Sequence, residues 1–355
     1  MTANGAAPRR TAGPGRGPGG APTAIALSPI LAARYRARDL DRIRDAAPGA
    51  RLVTLSVEGL ADGPLEDVEV LLRGWLSGDA FDRLLARAPN LSWVHSATTG
   101  VERALTPAAR ERGIVITNAR GVFSRPIAEY VLMMILAVSR RLPQLLELQR
   151  ERTWQPLEGA ELRDVTVGIV GLGSIGHAVG ALATAFGCRV IATRRRSDAG
   201  SAAASDSDES VGQVKLDQVL GPEGLPVLLG ESDFVVLAAP LTPETEGMID
   251  ADALAAMKPG SWLINVARGR LVDERALLRA LHDGPLGGAV LDTFVDEPLP
   301  PASPFYDLPN VIVTPHTSWS SGRVLDRSVE LFCDNLRRYA RGDELLNVVD
   351  PAAGY

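Results

Sequence analysis

The chain has 355 residues, 46% hydrophobic and 23% charged, with 37 basic against 43 acidic side chains and a net charge of −6. At roughly 100–200 residues per domain this predicts two domains of a soluble globular protein, and the acidic balance argues against a nucleic-acid binder. The two cysteines, Cys188 and Cys333, cannot build a disulfide framework and lack zinc or thioredoxin-like spacing, which suits a reducing cytoplasm and leaves no metal to expect.

The first 23 residues are rich in Gly, Pro, Ala and Arg and read as a disordered tail. Arg9-Arg10 is followed by no apolar segment, so a secretory signal is not indicated. From Thr23 onward, short β-branched runs (Ala50–Val57, Val68–Leu72, Leu91–His95, Ile114–Thr117) alternate with helical stretches (Leu31–Ala46, Asp79–Ala88). Such alternation predicts a parallel sheet covered on both faces. A single long helix is predicted from Pro126 to about Arg150, with Ser124 as its cap, Pro126 in its first turn and Pro143 as a kink or stop. Its segment Tyr130–Val138 is apolar on all sides, which marks a buried helix, yet it falls short of the roughly 18 residues of a membrane span.

A second alternating series begins at Asp164, with strands predicted at Val165–Val170, Arg189–Thr193, Phe234–Ala238, Trp262–Val266, Gly288–Asp292 and Val311–Thr314. The Ser/Ala/Asp-rich run Ser197–Gly212 reads as a surface insertion, and a last helix is predicted over about Val324–Tyr339.

The first strand of this series runs into Gly171-Leu-Gly173-Ser174-Ile175-Gly176 and then a helical stretch. In that context each glycine has its own function, with a tight turn at Gly171, close approach of a pyrophosphate at Gly173, and close helix–strand packing at Gly176. The following helix N-terminus would present free N–H groups to phosphates. At the end of the next strand, a dinucleotide fold that selects NAD carries Asp or Glu for the ribose hydroxyls. Here the residues are Thr193-Arg194-Arg195-Arg196, and guanidinium suits a 2′-phosphate, so NADP(H) is expected over NAD(H).

Three further motifs follow predicted strands: Asn265-Val266-Ala267-Arg268-Gly269-Arg270, Asp292-Thr-Phe-Val-Asp296-Glu297-Pro298, and Thr314-Pro-His316. Carboxyl ends of parallel strands border a ligand crevice, so one Arg, one Glu and one His can converge there. With these motifs in this order, the chain resembles the D-isomer-specific 2-hydroxyacid dehydrogenase family over about residues 50–349. The resemblance implies that Arg268 binds and orients substrate, that Glu297 supports His316, and that His316 is the acid/base. It further implies cofactor contacts at Ala239, Pro240, Val266, Ala267 and Asp292, the last at the nicotinamide carboxamide, and substrate-carboxylate loops at Arg73-Gly74 and Thr99-Gly100. The chemistry fits independently, because Arg268 can pair with the carboxylate of a 2-oxoacid and polarise its ketone, and protonated His316 can supply the proton as hydride arrives. Asp296 competes with Glu297 for the carboxylate role, and Arg270 is next in line to Arg268. Trp319 stands where many relatives carry a small residue, which would narrow the pocket mouth.

The expected architecture is α/β: two doubly wound parallel-sheet domains. A Rossmann nucleotide-binding domain at 123–317 would interrupt a flavodoxin-like substrate domain made of 24–122 and 318–350, with the active site in the cleft. The expected function is hydride transfer between NAD(P)H and a small 2-oxoacid or D-2-hydroxyacid, of glyoxylate/hydroxypyruvate reductase type, in a cytoplasmic homodimer with no nucleic-acid or membrane partner. The alternatives are NAD-dependent oxidation of D-lactate or phosphoglycerate, and a non-catalytic nicotinamide-sensing protein.

Overall fold

The computed structural model describes Gly15, residues 17–28, 35–195 and 214–352, and Gly354. The chain divides into two compact units, Met1–Val122 with Gly322–Tyr355, and Phe123–Ser321.

The first unit is built on β1 (Ala24–Leu27), β2 (Arg51–Thr54), β3 (Val68–Arg73), β4 (Trp93–Ser96) and β5 (Val115–Thr117). All are parallel, in the order β2-β1-β3-β4-β5, the flavodoxin-like arrangement. Strand residues alternate between the sheet's two faces, and both faces are apolar. Ala24 and Ala26 join one layer with Phe81, Leu84 and Leu85 of α2 (Gly78–Arg87). Ile25 and Leu27 join the other with Ile43 of α1 (Ala37–Ala46) and Val329, Phe332 and Leu336 of α10 (Val324–Arg341). A short α3 (Pro107–Glu111) precedes β5. Part of the predicted tail is bonded rather than loose: the Gly17 and Gly20 amides donate to the carbonyls of Asp343 (3.2 Å) and Ala340 (2.6 Å) at the end of α10.

The second unit opens with α4 (Ser124–Ser139) and α5 (Leu142–Arg150). The single long helix predicted here is therefore two, because Arg141 turns into the left-handed region (φ 56°) and Pro143 sits in the first turn of α5. Ser124 does not cap α4: it lies inside the helix with its hydroxyl buried and unpartnered. The sheet comprises β6 (Thr166–Val170), β7 (Arg189–Thr193), β8 (Gln218–Leu220), β9 (Phe234–Leu237), β10 (Trp262–Asn265), β11 (Gly288–Leu291) and β12 (Val311–Val313). Its order, β12-β11-β10-β9-β6-β7-β8, is parallel throughout and doubly wound. The three-residue β8 was not predicted. Helices α6 (Ser174–Ala185), α7 (Leu225–Glu231), α8 (Ala251–Ala255) and α9 (Glu274–His282) complete the unit. Register carries the design toward function: Val170 pairs with Thr193 and Leu237, Asn265 with Leu237 and Leu291, and Leu291 with Val313. The strands thus end level, and the loops leaving them emerge side by side. The predicted insertion Ser197–Gly212 lies outside the described residues.

One polar group in the core of the first unit is instructive. His95 on β4 is wholly buried against Phe332. Thr117 Oγ1 accepts the Trp93 indole N–H at 2.9 Å and lies 2.8 Å from His95 Nδ1. Burial pushes the imidazole pKa down to about 3 from the ordinary 6.5, so the ring is neutral in the folded chain at neutral pH. Between those values the unfolded chain binds a proton that the folded chain excludes, so stability falls as the pH drops through the window. His95→Phe is expected to remove up to about 1.4 kcal/mol per pH unit of this acid sensitivity, whatever it does to stability at neutral pH. Urea denaturation of both proteins from pH 7 to 4 measures the two slopes, and equal slopes would refute the assignment.

Candidate active site at the strand ends

Every chemistry-bearing motif of the second unit leaves the sheet at a strand's carboxyl end. Gly171 follows β6, with φ 102° and a backbone so close to Ala239 that a Cβ would lie 2.6 Å from its nitrogen. A Cβ on Gly176 would lie 2.2 Å from the Gly171 carbonyl oxygen, so helix α6 can approach the turn only without a side chain there. Gly173, in contrast, is exposed and faces open space, immediately before the first residue of the 12-residue α6. The loop is closed on the protein side and open where the helix N–H groups emerge, which fits a pyrophosphate. Ser174 and Ile175 begin the helix half-buried.

Thr193 ends β7 and is buried; Arg194 is half-buried and Arg195 exposed, while Arg196 lies outside the described residues. The Glu244 carboxyl is held below the usual range mainly by its hydrogen bond with Thr242, with the Arg195 charge adding to it. Ala239, Val266 and Ala267 are buried at the exits of β9 and β10, and Pro240 is exposed.

After β10, the Asn265 side chain shapes the turn that carries Arg268: its Oδ1 accepts the Ala267 amide at 3.0 Å and its Nδ2 donates to the Arg268 carbonyl at 2.9 Å. Arg268 Nη1 donates to the Ala267 carbonyl at 2.7 Å. After β11, Glu297 Oε1 accepts the Phe294 amide at 3.0 Å and Oε2 accepts from His316 Nδ1 at 2.8 Å. Burial opposes ionisation of Glu297. The hydrogen bonds from His316 and Phe294, and the positive charge of Arg268, outweigh it and hold the carboxyl below its ordinary range. Asp296 is exposed and Arg270 pairs at the surface with Glu246, so neither competitor occupies the position.

His316 leaves β12 in the left-handed region at φ 49°. Asp292 has no exposed surface. Its Oδ1 accepts from the Thr314 hydroxyl at 2.6 Å and the Thr317 amide at 2.8 Å, and its Oδ2 from the Ser318 amide at 2.9 Å. The residue that the resemblance assigns to the nicotinamide carboxamide is thus bonded to both sides of His316. Trp319 packs edge-on against Phe123, ring centroids 6.5 Å apart.

The other predicted site residues lie in the first unit. Arg73, at the end of β3, is 3% exposed, and its Nη2 donates to the carbonyls of Leu76 and Arg103. Burial draws the guanidinium down to about 10, so it stays charged at neutral pH. Its donors brace the turn. The Gly74 amide donates to the Ser28 hydroxyl, and the Thr99 carbonyl accepts from Asn118 Nδ2 at 3.0 Å. Thr98 Oγ1 donates to the Gly100 carbonyl at 2.8 Å.

Residues 132–318, a little over half of the chain, match the family described as D-isomer specific 2-hydroxyacid dehydrogenase, NAD binding domain. A glyoxylate reductase of Korarchaeum cryptofilum is 32% identical over 320 residues, 88% of this chain and 90% of that protein. The chain belongs to the D-isomer-specific 2-hydroxyacid dehydrogenase family. A D-3-phosphoglycerate dehydrogenase of Mycobacterium bovis is 36% identical over 289 residues, but this chain spans only 51% of its length. The crystal structure of a D-isomer specific 2-hydroxyacid dehydrogenase from Xanthobacter autotrophicus Py2, in complex with NADPH and MES, matches with a TM-score of 0.78 and 30% identity, covering 94% of this chain and all of that one.

As a member of this family the protein is an NAD(P)-dependent oxidoreductase. Among the described residues no group of three or more His, Cys, Asp or Glu could hold a metal ion, and no helix is long and apolar enough to cross a membrane. Two residues hydrogen-bonded into this candidate site are not singled out by sequence. Thr314 stands in the Thr-Pro-His motif with no role of its own, and Tyr130, whose hydroxyl lies 2.6 Å from Thr314 Oγ1, is absorbed into an apolar run. Its phenol is the one polar group of Tyr130–Val138 and was the available signal.

Proposed function

We propose that this dehydrogenase is an NADPH-preferring reductase of small 2-oxoacids of the glyoxylate/hydroxypyruvate type. In this reading the Phe123–Ser321 unit binds the nucleotide and the other unit binds substrate. The observation that carries the proposal is the 2.8 Å Glu297–His316 pair beside Arg268, held at adjoining strand ends. A nicotinamide cofactor, when bound, supplies the hydride. Gly171, Gly173, Ser174, Ile175 and Gly176 would hold its pyrophosphate, with Thr193, Arg194 and Arg195 at the 2′ position and Ala239, Pro240, Val266, Ala267 and Asp292 along its length.

The chain's own residues orient and protonate. Arg268 binds the substrate carboxylate and polarises the adjacent ketone, so that charge developing on oxygen meets a fixed cation. The loops at Arg73-Gly74 and Thr99-Gly100 are the substrate-binding loops of the other unit in this reading, with the buried Arg73 bracing its turn through the Leu76 and Arg103 carbonyls. Glu297 accepts a hydrogen bond from His316 Nδ1–H, which leaves Nε2 as the nitrogen that delivers a proton to the alkoxide. Glu297 must be ionised to do this, and its depressed titration keeps it so well below neutrality.

We further propose a homodimer formed over α4, α5 and the segment after them, where Met133, Leu142, Leu145 and Leu146 are 39–51% exposed and Trp154 fully so. The net charge of −6 and the two free, buried cysteines support a cytoplasmic enzyme without nucleic-acid or membrane partners.

Nicotinamide absorbance during turnover, with NADPH and NADH each offered against glyoxylate, hydroxypyruvate, pyruvate and phenylpyruvate, tests the assignment. Reduction of glyoxylate or hydroxypyruvate with the higher kcat/KM for NADPH is expected; cofactor binding without any turnover would favour a sensing role. Arg194→Asp is expected to shift the NADPH/NADH preference about ten- to a hundredfold toward NADH, and an unchanged ratio would remove Arg194 from the 2′ site. Glu297→Gln removes the charged acceptor that orients the His316 ring and should cut kcat at neutral pH on the order of a hundredfold, with cofactor binding unchanged. An unchanged kcat would exclude Glu297 from this role.

A further inference from the structure

We propose that Tyr130 is a positioning residue for His316, acting through a directed hydrogen-bond chain from Tyr130 to Thr314 to Asp292. The inference rests on the acid/base role assigned above to His316.

The direction of the chain follows from proton counting. The Asp292 carboxylate can only accept, and Thr314 Oγ1 lies 2.6 Å from its Oδ1, so the single Thr314 hydroxyl proton points there. Tyr130 Oη, 2.6 Å from the same Thr314 oxygen, is then the donor. Tyr130 as a residue is 9% exposed. Burial raises its titration to about 12, with the Asp292 charge adding and the Thr314 contact opposing, so it stays a donor throughout the physiological range.

What this chain holds is a disfavoured backbone. A histidine at φ 49° persists only where its surroundings over-determine it. Here one carboxylate ties down the residue two before His316, the residue after it and the residue two after it. The His316 amide closes a tight turn onto the Thr314 carbonyl at 3.0 Å, so any rotation of Thr314 is passed to the ring. Tyr130 sets the rotor of Thr314 from α4, 184 residues away in sequence. Its phenol touches neither His316 nor Glu297 through any hydrogen bond among the described residues, so its influence runs through Thr314.

The test uses the full chain with NADPH and glyoxylate. Tyr130→Phe is expected to lower kcat about five- to tenfold with both KM values unchanged, as loss of one buried hydrogen bond would. Thr314→Val should lower kcat at least as much, and Thr314→Ser, which keeps the hydroxyl, should recover most of that loss. Because Tyr130 acts only through Thr314, the double variant Tyr130→Phe/Thr314→Val should be no slower than Thr314→Val alone. The chain has four histidines, so the His316 imidazole can be assigned by NMR from His316→Asn. Its resonance should shift in Tyr130→Phe and Thr314→Val and stay in place in Thr314→Ser. Losses that multiply in the double variant, or an unmoved imidazole with wild-type kcat in Tyr130→Phe at whatever melting temperature, would overturn the proposal. Retained turnover in His316→Asn would overturn the acid/base reading itself, a result distinct from an inactive His316→Asn beside an unaffected Tyr130→Phe.

Discussion

The carboxylate of Asp292 sits at the exit of β11 with no exposed surface and three donors on its oxygens. A buried charge is costly unless its acceptor capacity is filled, and here the donors that fill it all belong to the segment leaving β12. Solvating the carboxylate and shaping the His316 loop are therefore the same act. Removing any of the three donors loosens the loop and leaves the charge less satisfied, so the two strand exits are locked together. The level ends of the parallel strands make this lock possible, since Leu291 and Val313 are register partners.

Two acidic residues leave the same strand end with different work. Asp292 holds backbone and a hydroxyl, and so fixes where the His316 Cα lies. Glu297 holds the ring, and so fixes which nitrogen faces outward. The side chains of Glu297 and His316 are 38% and 39% exposed, too open for their contact to draw much strength from desolvation. Its value is geometric, and that geometry is inherited from the buried group. The reductase reading thus depends on a rigid polar network beneath a half-open acid/base pair, an order of dependence that suits a site which must admit substrate and still aim a proton.

Most of this was legible in the sequence wherever the signal was local. Strand Arg189–Thr193 was bounded by its composition to the residue, and the glycine loop declared itself by sitting between a strand and a helix. The Arg, Glu and His motifs each followed a predicted strand, which is enough to bring them to one side of a parallel sheet. What was hidden depended on conformation or on distant contacts. Pro143 announced a kink or stop in the long helix, but the break itself turns on Arg141, a left-handed residue whose type announces nothing. Ser124 looked like a cap because serine usually is one before a helix, but the helix begins one residue earlier than that pattern requires. The three residues of β8 carry too little pattern to stand out from a loop. The tie from Tyr130 to Thr314 spans 184 positions, and only the fold brings the two hydroxyls together.

The chain's histidines show why residue type alone could not assign roles. His95 lies on β4 and His316 just beyond β12, and both use Nδ1 for a short hydrogen bond of 2.8 Å. The partner decides the outcome. Thr117 offers His95 an uncharged hydroxyl, and burial in a core with Trp93 and Phe332 keeps the ring neutral. Glu297 offers His316 an acceptor with negative charge, which requires a proton on Nδ1 and gives a positive ring somewhere to rest. An uncharged hydroxyl at Nδ1 inside a core makes a structural histidine; an ionised acceptor there, at a half-open strand end, makes one that can carry a proton to a substrate.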